Sequence, residues 1–136
     1  MPALRLTHSL AAPANRVWTA LTDADELAQW FWPKSFATNV FTDPHPGGAF
    51  TIRSVPMEMG VSGRYETVEA PYRLTFSWQW DGEADSSRVQ IHLTDQGDRT
   101  ELALTHGGLL TDEQRTAHIQ GWNDCLDRLP LWLASD

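Results

Sequence analysis

Among the five histidines, His106 and His118 sit where an imidazole could do chemistry, and Cys125 and seven tryptophans stand near them in the pattern. His106 falls on the apolar face of a strand-like repeat, and His118 precedes Trp122 by one helical turn. An imidazole in such a place has two readings. It is a core histidine whose ring nitrogens are satisfied internally, or a polar anchor that orients a ligand carbonyl or hydroxyl. Cys125 invites pairing with His118 as nucleophile and base. Seven residues along a helix are about 10 Å of rise, beyond hydrogen-bond reach, so Cys125 reads as a small buried residue. No His-Glu-x-x-His, no cysteine pair and no clustered histidines occur, and no metal site is expected. Pro46-Gly47-Gly48 lacks the spacing and the lysine of a phosphate-cradling loop and reads as a turn. With no acid–base or nucleophile–base pair legible, no catalytic residue and no cofactor is assigned.

The tryptophans carry more information. Trp30 and Trp32 flank Phe31 at the end of one helix pattern, Trp78 and Trp80 alternate on a strand, and Trp122 and Trp132 lie on the last helix. Trp wants an apolar body and a polar contact for its N–H. Tryptophans from elements far apart in sequence form either an aromatic core or the wall of an apolar cavity. Trp18 and Trp30 belong to helix faces that must bury something, which favours the core. Trp78 and Trp122 fit both readings. Trp32 and Trp80, near element ends, fit a pocket rim. The candidate ligand-binding set is therefore Trp32, Trp78, Trp80, His106, His118 and Trp122. Met57 and Met59, in the turn from Pro56 to Gly60, are adaptable apolar contacts or plugs of a sheet edge.

The elements that must position these residues follow from periodicity. Leu4, Leu6, His8 and Leu10 alternate with polar residues as in a half-buried strand. Pro13 opens a helix whose stripe is Val17, Trp18 and Leu21. Asp23 with Glu26 reads as a capping box for a second short helix, which Pro33 stops. From about residue 35 to 106 the period is that of strands, punctuated by the loop Asp43-Pro44-His45-Pro46-Gly47-Gly48 and the turns at Ala70-Pro71 and Asp95-Gln96-Gly97-Asp98. Leu74, Phe76, Trp78 and Trp80 share one face of a strand. Thr111 and Gln114 form a capping box for a long last helix with Ile119, Trp122, Leu126, Leu129 and Leu133 as its stripe. Pro130 is expected to kink or end its last turn.

At 136 residues the chain is expected to be a single domain, residues 1–136, without repeats or linkers. A net charge of −8 disfavours a phosphate-backbone partner, so no nucleic acid is expected. No apolar run approaches a membrane span and no basic leader opens the chain. Together with a lone cysteine this makes cytoplasmic residence the expectation, with no membrane partner. The chain is expected to be a monomer or a homodimer.

The fold class these elements imply is α+β. A curved antiparallel sheet of about six to seven strands wraps around a long C-terminal helix, with two short helices after the first strand. Imperfect packing of bulky residues on a curved sheet leaves an apolar cavity under the helix. The chain resembles the START-like, Bet v 1-like helix-grip superfamily. Within it, the resemblance is to homologues of the activator of heat-shock protein 90 ATPase, specifically its C-terminal half. Ala12-Pro13 through Val17-Trp18, Leu21-Thr22-Asp23 to Trp30, Pro46-Gly47-Gly48 and Gly63-Arg64-Tyr65 to Val68 carry it. So do Pro71-Tyr72-Arg73-Leu74 through Phe76-Ser77-Trp78, Thr105-His106-Gly107-Gly108-Leu109, and His118 to Gly121-Trp122 with Cys125 and Leu129. Trp30-Phe31-Trp32-Pro33 departs from the Trp-Trp-Gly-Pro usual in the family, and the extra aromatic narrows the expected cavity mouth. The resemblance implies three functions of different class: a carrier binding an apolar or aromatic small molecule, a chaperone-ATPase-activating cofactor, or a cyclase- or hydrolase-type enzyme using the same cavity. The aromatic periodicity favours the first.

Overall fold

A computed structural model describes residues 3–135. Strand β1 (Leu4–Leu10) leads into helices α1 (Ala14–Thr22) and α2 (Ala24–Trp30). Six strands follow: β2 (Asn39–Thr42), β3 (Ala49–Ser54), β4 (Met59–Glu69), β5 (Arg73–Trp80), β6 (Ser87–Asp95) and β7 (Thr100–Gly107). Helix α3 (Asp112–Ala134) closes the chain. All neighbouring strands are antiparallel, in the order β1-β7-β6-β5-β4-β3-β2. The last six strands form a meander, while β1 and β2 lie on opposite edges. The two short helices carry the chain across between those edges.

Local chemistry sets the helix boundaries. The Asp23 side chain accepts from the Glu26 amide at 3.0 Å and starts α2. At α3 the reciprocal box is complete: Thr111 accepts from the Gln114 amide while the Gln114 side chain accepts from the Thr111 amide. Asp112 and Glu113 occupy its first turn, at the positive end of the dipole. The expected faces are those buried. Leu74, Phe76 and Trp78 of β5 and Val89, Ile91 and Leu93 of β6 meet Trp122, Cys125, Leu126 and Leu129 of α3 in one core. Gly63 permits a close approach within it, since a Cβ there would lie 1.9 Å from the Ser77 carbonyl oxygen and 2.6 Å from the Phe50 ring. Phe50 can thus lie over β4 and meet Phe76 edge-on at 5.2 Å.

Two expectations need correction. Pro130 does not end α3, which runs on to Ala134. A proline removes only one helical donor, and the final turn is tied down from outside, Trp132 donating from its indole N–H to Glu26 Oε1 at 2.7 Å. Ile119 does not belong to the buried stripe but is exposed. The buried face starts at Trp122, because the first turns of α3 border a cleft instead of the core. Sequence periodicity also passed over the short 3-10 turn Lys34–Phe36 that Pro33 initiates.

Candidate functional site

The cleft at the N-terminal half of α3 is lined by Phe31, Trp32, Trp78, Trp80, Ala117, His118, Gly121, Trp122 and Cys125 and has a volume of about 200 Å³. Three elements build it: the segment after α2, the end of β5 and one face of α3. Trp32 and Trp80 lie with their indole planes 7° from parallel and centroids 6.4 Å apart. Trp78 and Trp122 approach to 5.0 Å behind them.

Hydrogen bonds hold these rings. The Trp80 indole N–H donates to His118 Nε2 at 3.0 Å. An indole only donates, so His118 Nε2 is the acceptor and Nδ1 carries the proton, which it gives to the Gln114 carbonyl at 2.7 Å. The Trp122 indole N–H likewise donates to His106 Nδ1 at 3.0 Å. His106 therefore carries its proton on Nε2 and donates it to Ser87 Oγ at 2.7 Å. Ser87 Oγ passes its own proton to the Trp78 carbonyl at 3.3 Å. This chain runs in one direction, from indole to imidazole to hydroxyl to carbonyl.

That direction decides the chemistry of the Ser87–His106 pair. A nucleophilic serine gives its proton to an unprotonated imidazole nitrogen. Here the facing nitrogen is already protonated, and Trp122 keeps it so. His106 is fully buried, and its pKa is lowered from 6.5 to about 3, by burial first and by the neighbouring His118 second. It remains a neutral connector. Cys125, at the floor of the cleft, is pushed up to about 12 by burial. The Arg128 guanidinium opposes that shift without overcoming it, so the sulfur stays a thiol.

Behind the cleft lies a second space of about 40 Å³, under the middle of α3 and lined by side chains such as Leu27, Phe50, Tyr65, Phe76, Leu104 and Leu126. An apolar cavity that holds benzene is about 150 Å³, so this interior is nearly filled. Burial, reinforced by the Asp43 carboxylate, holds the Tyr65 phenol above its ordinary pKa and keeps it neutral. Phe31, Trp78 and Trp122 line both spaces and form the wall between them. Trp78 brings an unusual feature to that wall, because its buried indole N–H has no hydrogen-bond partner among the described residues.

Five of the six candidate residues from the sequence, Trp32, Trp78, Trp80, His118 and Trp122, meet on this cleft. His106 does not line it but stands one layer back, with its ring centroid 4.9 Å from that of His118 and both nitrogens engaged by protein groups. Of the two methionines, Met57 is exposed and Met59 packs on the core, and neither borders the cleft. Sequence reasoning did not single out Gly121 or Ala117 as cleft residues. Gly121 carried a usable signal, because a glycine inside a helix costs about 1 kcal/mol relative to alanine and so points to a spatial requirement. A Cβ built there meets nothing within 4 Å, since the residue faces the open cleft. Among the described residues no group of His, Cys, Asp and Glu is placed to hold a metal ion, and no helix is long and apolar enough to cross a membrane.

A seven-stranded antiparallel sheet closed by a long C-terminal helix, with two short helices between the edge strands, defines the protein as a helix-grip protein of the START-like, Bet v 1-like superfamily. Within that class the chain belongs to the family described as "Activator of Hsp90 ATPase homolog 1-like protein", whose pattern matches residues 11–134. Among solved structures, protein CV1439 from Chromobacterium violaceum superimposes with a TM-score of 0.87 at 24% identity, each chain covered in full. CalU16 from Micromonospora echinospora gives 0.78 at 28% identity, over 96% of this chain and 75% of that one. An HSP90 activator from Plasmodium falciparum gives 0.81 at 19% identity, over 98% and 97%. Among curated proteins none matches the sequence.

Proposed function

We propose that this protein binds a flat, apolar or aromatic small molecule in the cleft between Trp32, Trp80 and α3. The observation that carries this reading is a 200 Å³ cleft walled by near-parallel indoles. The volume exceeds what benzene needs, and parallel indole faces favour stacking on a planar ring. Removal of apolar area from water would supply most of the affinity.

Native mass spectrometry of freshly purified protein, then fluorescence titration with 1-naphthol, tests the reading. Gly121→Leu is the discriminating variant. It places a side chain in the open cleft and adds a better helix former, so it is expected to weaken 1-naphthol binding at least tenfold with stability unchanged or raised. Equal binding by wild type and Gly121→Leu, with no mass retained on the native protein, would end this reading.

A second reading has one observation in its favour, the likeness in fold to an HSP90 activator. Stimulation of chaperone ATPase activity by this chain, assayed with the Hsp90 of its own cell, would establish it. An unchanged rate would remove it.

A further inference from the structure

The inner space and the cleft are separated by three rings, those of Phe31, Trp78 and Trp122. They are not held alike. Trp122 is anchored by its bond to His106, and Trp78 is wedged edge-on against Trp80 at 5.6 Å and against His106 at 6.0 Å. Phe31 has no polar side-chain atom and packs against four rings, at 5.6 Å to Trp30, 5.8 Å to Trp32, 5.9 Å to Trp122 and 6.4 Å to Trp78. Its backbone is fixed independently of its side chain. The Phe31 amide donates to the Leu27 carbonyl at 3.0 Å, and Arg128 donates to the Trp30 and Phe31 carbonyls at 3.0 and 2.6 Å. Rotation of Phe31 about χ1 would move its ring without breaking a hydrogen bond, whereas rotation of Trp122 would break its bond to His106.

Resting on the binding function proposed above, we infer that Phe31 determines the size of ligand this protein accepts. With the ring in place, the binding space ends at the wall and admits one or two fused rings. With the ring absent, the cleft and the inner cavity become one continuous apolar space, and a longer planar ligand reaches toward Phe50 and Phe76. The residue sits at the end of α2, where Arg128 also donates to its main-chain carbonyl. A smaller side chain there changes the size of the space without releasing the segment that carries Trp32.

Paired titrations with 1-naphthol and 1-hydroxypyrene test the inference on wild type, Phe31→Leu and Phe31→Ala, each checked for a cooperative melt. The expected result is that wild type prefers 1-naphthol and that Phe31→Ala binds 1-hydroxypyrene at least tenfold tighter than wild type does, with Phe31→Leu between them. Should Phe31→Ala not fold, Phe31→Leu decides alone, with an expected gain of about threefold. Wild-type binding of 1-naphthol with no gain for 1-hydroxypyrene in a folded variant overturns the role of Phe31 and leaves the binding function standing. Absence of binding to either probe in all three proteins overturns both.

Discussion

The inner cavity and the outer cleft share three wall residues and the same aromatic chemistry, yet one is nearly filled and the other is open. The difference lies in what holds the rings. Around the inner space, Trp30 and Trp122 are anchored by hydrogen bonds, but most of the lining, including Phe50, Phe76, Leu104 and Leu126, has no polar group and settles wherever dispersion contacts are densest, so the space closes to about 40 Å³. Around the cleft, Trp80 and Trp122 are held by hydrogen bonds to histidines on the neighbouring strand and helix. Collapse into the cleft would break those bonds, so about 200 Å³ stays open. Apolar packing supplies stability in one region, and polar anchoring preserves shape in the other.

The largest expected effect comes from breaking the filled side. Leu129, fully buried on α3, anchors the helix to the core. Leu129→Ala should cost about 2–5 kcal/mol of unfolding free energy in urea titration. Binding of 1-naphthol by the protein that remains folded should be little changed. A loss under about 1 kcal/mol would mean that α3 is not held mainly by this face.

A smaller effect sharpens the polar side. His106 has a pKa of about 3 in the folded protein against 6.5 as its ordinary value. The unfolded chain therefore binds a proton that the folded one refuses. The stabilisation is complete above pH 6.5 and is lost as the pH falls toward about 3, at about 1.4 kcal/mol per pH unit. His106→Gln offers an amide oxygen to Trp122 and an amide N–H to Ser87 but does not titrate. Unfolding free energies compared between pH 6.5 and 5 should fall by about 2 kcal/mol more in wild type than in this variant. Equal slopes would show that His106 is not the buried neutral group.

The smallest stability effect is expected at the rim. Trp80→Phe keeps the ring face toward Trp32 but removes the donor to His118 Nε2. Stability should drop by only about 0.5–1.5 kcal/mol, measured by thermal melting. The loss in 1-naphthol affinity should be proportionately larger, because the freed ring no longer keeps the cleft open. The reverse order, large in stability and nil in binding, would place Trp80 with the core residues.

Much of this architecture was legible in the chain. Strand alternation from Leu4 to Leu10 and from Leu74 to Trp80, the capping residues Asp23 and Thr111, and the stripe Trp122–Leu126–Leu129 are local patterns, and each buries the expected face. Pro130 misled because the end of α3 is held by a distant partner, Glu26 through Trp132, and Ile119 because it lies one turn before the buried face of α3, which begins at Trp122. The candidate site was legible as a set of residue types but not as an arrangement. Periodicity placed His106 on the inward face. It carried no information about which of its nitrogens would meet Trp122 and which Ser87.

The sequence by itself determined which strand faces are buried, where the helices start and which aromatic side chains face α3, because periods of 2 and 3.6 and capping preferences act within a few residues of one another. Only the tertiary structure decided that Phe31 lies between two spaces, that the Trp78 N–H is left without a partner among the described residues and that the Ser87–His106 pair points its proton the wrong way for attack. Those outcomes hang on donors and acceptors from elements far apart in sequence, whose orientation is fixed only when the sheet closes on α3.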